Sequence, residues 1–167
     1  MIILGIDPGY AIIGYGIIEY ENSMYIYNKH GAIITDAKDD FASRLEIIFN
    51  QVSDLINEFN PSEVAIEKLY FQSNHKTAID VAQARGVILL AARKYKIPIY
   101  EYTPLEVKIS ITGYGKAQKH QIMEMTKKLL LLKDTPKPDD AADALAIAIC
   151  HSNCFGKKIN KLLMKRR

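Results

Sequence analysis

Cysteine is scarce in this chain, with two in 167 residues. That is too few for a disulfide framework, and with no targeting segment in sight it suits a reducing, cytoplasmic compartment. Long apolar runs are also missing: none approaches the roughly 20 residues that span a bilayer, so no membrane association is expected. The apolar start Met1–Ile6 meets Asp7 too early, and without a basic flank, to be expected to act as a signal peptide. There is no internal repeat, low-complexity segment or long linker. Histidine and cysteine do not gather into a soft-metal site either. Cys150, His151 and Cys154 fall in one stretch, but two thiols at helical spacing are the usual pattern of packing residues.

What is present is the balance of an ordinary globular protein, 49% hydrophobic and 25% charged. The length allows one domain with a real core, taken as residues 1–155, followed by a basic C-terminal tail over 156–167. The net charge of +3 conceals an asymmetry. Residues 1–67 carry 11 acids and 3 bases (−8), and residues 68–167 carry 8 acids and 19 bases (+11). An acidic pocket beside a phosphate-binding surface would produce such a division. Charge alone is explained more simply by an unevenly charged solvated surface.

The periodicities predict ten elements. Met1–Asp7 is almost wholly apolar, which suits a strand buried on both faces, and Pro8-Gly9 ends it. Ile12–Tyr20 and Met24–Thr35 are rich in β-branched and aromatic residues and read as a hairpin. Phe41, Leu45, Ile48, Val52, Leu55 and Phe59 recur in steps of four and three, the mark of an amphipathic helix, with Asp39 and Asp40 placed to cap it. A short strand Val64–Ile66 ending in Glu67, a helix over Thr77–Tyr95 and a strand Pro98–Tyr102 follow. Pro104 opens a short helix that Gly113-Tyr114-Gly115 interrupts. Helices over Gln118–Leu132 and Asp139–His151 complete the set. This order predicts an α/β fold in which an antiparallel hairpin set joins parallel βαβ units covered by helices.

Two acids stand where apolar strands stop, Asp7 and Glu67. If the crossover sets the fourth strand beside the first, they become lateral neighbours facing a shared cleft. A third group opens the last core helix. Asp140 and Asp143 share a helical face, and Asp139 with Asp143 does so as well, so spacing leaves both pairings open. Capping explains acids in a first turn, but Asp143 heads an almost wholly apolar helix, where an unpaired carboxylate is costly. A divalent cation would answer that cost for all these acids together. Mg²⁺ prefers carboxylate and water oxygens and leaves positions for phosphate, and a pair of such ions hydrolyses phosphodiesters.

Gly5-Ile6-Asp7-Pro8-Gly9, Ala65-Ile66-Glu67, Gln83-Ala84-Arg85-Gly86 and the run Asp140–Ala148 resemble, in order and spacing, the signature segments of the RuvC family of Holliday-junction resolvases. Val107-Lys108 and Gly113–Lys119 resemble its basic segment, and the resemblance covers about residues 1–153. It implies a ribonuclease-H-like fold with a five-stranded mixed sheet flanked by helices. It implies a structure-selective endonuclease of recombination and repair, a homodimer making paired nicks in opposed strands of four-way junction DNA beside the RuvA–RuvB branch-migration complex. The implied metal-binding catalytic acids are Asp7, Glu67, Asp140 and Asp143, which settles Asp140 over Asp139. Two Mg²⁺ ions per site, replaceable by Mn²⁺, are the implied cofactors. Lys108 and Lys119 match lysines that handle the scissile phosphate or backbone. Members usually carry a phenylalanine three residues after the strand-end acid; here that place is Tyr70, with Phe71 next, so either ring is a candidate to face the junction.

Two rival readings start from the same residues. Another ribonuclease-H-like nuclease, acting on RNA–DNA hybrids or transposon ends, would share the acids, but Gln83–Gly86 and Gly113–Lys119 argue against it. Gly5–Gly9 followed by Gly14 also resembles the phosphate-binding hairpin of actin-like phosphotransferases, which need a second such hairpin and a second domain. A non-catalytic junction binder would have no use for four acids that repel phosphate.

Overall fold

A computed structural model describes residues 1–69 and 75–164, with side chains described at 1–69 and 78–154. Strands β1 (Ile2–Asp7), β2 (Ile12–Glu21) and β3 (Met24–Ile34) are followed by helix α1 (Phe41–Phe59), strand β4 (Glu63–Glu67) and helix α2 (His75–Lys94). Strand β5 (Ile99–Tyr102) and helices α3 (Pro104–Thr112), α4 (Lys119–Leu129) and α5 (Asp139–Met164) complete the described chain. The five strands form one sheet in the order β3-β2-β1-β4-β5. β1 pairs antiparallel with β2 and parallel with β4, so the sheet is mixed, as the element order predicts.

The near-continuous apolar run of β1 is explained by its central place, with helices on both faces. One core lies beneath α1 and α2 and gathers Leu4, Ile6, Ile48, Val52, Val64, Ile66, Ile88 and Ala91. The other lies beneath α3, α4 and α5 and gathers Ile3, Ile18, Ala65, Val107, Ile122, Leu145 and Ile149. Helix α1 is capped by Asp40, whose carboxylate accepts from the Ser43 amide at 3.1 Å; of the two capping candidates Asp40 does this. At α3, Thr103 and Glu106 form a reciprocal capping box behind Pro104.

The helix ends differ from the periodicity at two places. Helix α4 stops at Leu129 rather than Leu132, because Leu131 turns into the left-handed region at φ 53° while Leu130 is buried. Helix α5 continues past His151 and past residue 155, to Met164. His151 is buried and fixes α5 to the sheet. Its Nδ1 lies 2.7 Å from the Tyr102 hydroxyl, and its Nε2 meets the Glu63 carboxylate. That ring links α5 to β4 and β5. Burial pushes the Cys150 thiol up to about 12, so it stays protonated. Among the described residues no helix is long and apolar enough to cross a membrane.

Candidate active site

Strand parity aims the two strand-end acids. On β1, Leu4 and Ile6 pack beneath α1 and α2 while Ile3 packs beneath α5. Successive side chains alternate faces, so Asp7 leaves the strand on the α5 side. On β4, Val64 and Ile66 take the first face and Ala65 the second, so Glu67 also emerges toward α5. Ile6 and Ile66 are paired in parallel register. The acids one residue further on are therefore lateral neighbours at the ends of adjacent strands.

Glycines bring the helix acids to them. Asp7 and Gly5 lie opposite Gly14 and Gly16 of β2. A Cβ at Gly14 would overlap the carbonyl oxygen of Asp140, and one at Gly5 would overlap that of Ala144. Helix α5 thus rests directly on the backbone of β1 and β2, and its first turns set Asp140 and Asp143 beside Asp7. This glycine patch is a site feature that the acid pattern of the sequence does not reveal. Its signal is Gly14-Tyr15-Gly16, two glycines at alternate positions of a strand, which marks the close approach of another backbone.

The electrostatics record the crowding. Asp7 is pushed from 3.8 up to about 8, first by burial and then by Glu67, Asp143 and Asp140, with Lys119 opposing. Glu67 is raised by burial and then by Asp143, against the pull of Lys108. Burial also raises Asp143, against its hydrogen bond to Lys119. Asp140 is among the charges that raise Asp7. The exposed Asp139 carboxylate instead meets Lys119 at 3.4 Å, while Lys119 Nζ lies 3.1 Å from Asp143. Burial disfavours the Lys119 charge, but the bonds and charges of Asp143 and Asp139 outweigh it and raise the lysine's pKa.

Glu67, Lys108, Lys119 and Asp143, with Pro104, Val107 and Ile122, line an open cleft of about 240 Å³. Both lysines named from the sequence therefore face the acids. Tyr70 and Phe71 lie outside the described residues. Among the described residues no three acidic, histidine or cysteine side chains converge closely enough for a ready-made metal cage. The donor set nonetheless fits a hard cation: carboxylates only, with Asp7, Glu67 and Asp143 raised by burial and by neighbouring acids, and Lys119 paired with Asp143. Mg²⁺ needs just one or two carboxylates and keeps several waters.

The family model described as "Crossover junction endodeoxyribonuclease RuvC" matches residues 3–151. The chain belongs to the RuvC family. A RuvC of Petrotoga mobilis is 54% identical over 153 residues, covering 92% of this chain and 94% of that protein. One of Halothermothrix orenii is 52% identical over 155 residues, covering 93% and 94%. Among solved structures, Thermus thermophilus RuvC superposes with a TM-score of 0.89 at 31% identity, covering 95% of this chain and 97% of that one. The same protein in complex with a Holliday junction substrate gives 0.88 at 32%, covering 92% and 94%. The sheet and its helices are thus the ribonuclease-H-like fold of RuvC, and all four acids and both lysines fall within the matched residues.

Proposed function

We propose that this RuvC-family chain is a structure-selective endonuclease that resolves Holliday junctions by paired, metal-dependent nicks in opposed strands. The observation that carries the reading is one cleft lined by Glu67 of β4, Asp143 of α5, Lys108 and Lys119, with the buried Asp7 of β1 repelled by both of those acids. Asp7, Glu67, Asp140 and Asp143 hold the metal, two Mg²⁺ per site, with Mn²⁺ as a substitute. When bound, the cations supply a nucleophilic water and stabilise the leaving oxygen of the phosphodiester. Lys108 steadies the scissile phosphate beside Glu67. Lys119, paired with Asp143 at 3.1 Å, would be released to contact the DNA backbone once that carboxylate holds metal.

The substrate reading is supported by the T. thermophilus RuvC structure with a Holliday junction. The partners are a second copy of the chain and the RuvA–RuvB complex, in the cytoplasm. The second copy would seat on α2. There Ile79 and Leu90 are 66% and 61% exposed, and a Cβ at Gly86 would meet nothing within 4 Å. These positions share a helical face, and an unpaired apolar stripe with a glycine gap suits close approach of a partner helix. One ring of Tyr70 and Phe71 would stack on an unstacked junction base, and the basic residues of 156–167 would add backbone contacts. The test offers a labelled four-way junction, linear duplex and RNA–DNA hybrid with Mg²⁺ and with EDTA. Paired nicks confined to the junction with Mg²⁺ support the proposal; preferential cutting of the hybrid would favour the other ribonuclease-H-like class.

A further inference from the structure

The proposed chemistry leaves Arg85 of the Gln83–Gly86 segment without a task. Arg85 sits between two faces of α2. Ala84 and Ile88 are fully buried, while Leu90 faces outward. Its own side chain is 15% exposed and reaches to the end of β4. There Nε donates a long hydrogen bond, 3.5 Å, to the main-chain carbonyl of Glu67, and Nη2 pairs with the Glu101 carboxylate. Glu101 stands on β5 opposite Ile66. One guanidinium therefore spans two adjacent strands beside the residue that carries the cleft carboxylate. Those strands are short, five residues in β4 and four in β5. The next ladder bond beyond Glu67 is from the Lys68 amide to the Tyr102 carbonyl, at 2.8 Å. A planar fork with several fixed donors is pre-organised to serve both acceptors, whereas a lysine ammonium is a compact point charge on a flexible stem.

We propose that Arg85 is a positioning residue: with Glu101 it clamps the end of β4 and so fixes Glu67 where it meets a divalent cation. The inference rests on the reading of Glu67 as a metal-binding acid. Partners that orient a metal ligand from behind are worth a large part of its affinity. Their loss costs about 10- to 100-fold in metal binding.

The experiment uses the full chain with Arg85→Gln, Arg85→Lys, Glu101→Gln and Glu67→Gln. Without metal, hydrogen exchange is read at the Lys68 amide. Mn²⁺ binding is then titrated by electron paramagnetic resonance, and junction affinity is measured in Ca²⁺. The expected result for Arg85→Gln and Glu101→Gln is faster exchange at Lys68 with β1 still protected, Mn²⁺ affinity down about tenfold, and junction affinity unchanged. Arg85→Lys should recover only part of the loss. Mn²⁺ affinity at the parent value in both clamp variants, while Glu67→Gln lowers it, overturns the clamp and leaves Glu67 in place. Loss of junction affinity at full Mn²⁺ affinity also overturns it, making Arg85 a DNA contact. If Arg85→Gln loses protection throughout the chain, Glu101→Gln decides by the same criteria. If Glu67→Gln itself binds Mn²⁺ like the parent, the reading of the acid fails, a result separate from either of those.

Discussion

Gly14 of β2, the residue facing Asp7 across the strand pair, lies against the carbonyl oxygen of Asp140 with no room for a Cβ between them. The contact sets how closely the first turn of α5 approaches β1, and with it the spacing of the acids. Gly14→Ala should lower stability by about 1–3 kcal/mol through overpacking. Cleavage should fall further than that loss explains, because a displacement of about 1 Å can cost 10²-fold in rate. Urea unfolding and single-turnover cleavage by the folded variant check this. A fully active Gly14→Ala would mean the close approach is packing alone.

Lys108 and Lys119 should each contribute a phosphate contact. Replacing either with Ala should weaken junction binding for every sequence and reduce the slope of log K against log [salt] by about one unit. Lys119→Ala should have a second effect, because this lysine also holds Asp143 at 3.1 Å. Without it the metal-free protein loses that ion pair to a raised carboxylate, and Mg²⁺ should stabilise the variant more than it stabilises the parent. Fluorescence anisotropy across a salt series, with melting curves in Mg²⁺ and EDTA, measures both.

Stability without metal should depend on pH through Asp7. Its ordinary value is 3.8 and burial with its acidic neighbours pushes it up to about 8. Between those values the folded chain holds a proton that the unfolded chain has lost. Stability is therefore present at low pH and declines as pH rises toward 8, at up to about 1.4 kcal/mol per pH unit for one such group. Glu67 and Asp143, also raised, act in the same direction. Asp7→Asn should be more stable than the parent in EDTA, with the advantage growing from pH 5 to pH 8. An advantage that shrinks over that range would contradict the assigned environment.

The exposed stripe on α2 predicts a dimer at micromolar concentration. Leu90→Glu should give monomers of undiminished stability, since Leu90 is 61% exposed within the single chain. Those monomers should bind junctions weakly and lose paired nicking. Sedimentation of the unmodified chain as a monomer would remove the second cleft from the account.

Much of this was legible in the sequence because β1 and β4 combine apolar runs with a terminal acid, and because the βαβ crossover rule places them side by side. All ten elements arise in the predicted order, and the crossover sets β4 beside β1, so that Asp7 and Glu67 end adjacent strands. Spacing left Asp139 and Asp140 open for a physical reason. Both lie in the first turn, and the choice depends on where α5 touches β2, a tertiary contact set by Gly14. The Arg85–Glu101 bridge was hidden for the same kind of reason, since it joins residues brought together only by the β4–β5 register. Cys150, His151 and Cys154 look like ligands as a string, yet the fold turns His151 to Glu63 and Tyr102.

The central claim is that four acids from three elements form one metal site whose loss removes chemistry and not substrate affinity. The direct measurement is junction cleavage beside junction binding for Asp7→Asn, Glu67→Gln, Asp140→Asn and Asp143→Asn, each confirmed as folded. Every variant should bind the four-way junction as the parent does while losing most cleavage in Mg²⁺. Robust cleavage by Asp7→Asn or Asp143→Asn, or loss of binding in step with loss of cleavage, would contradict it.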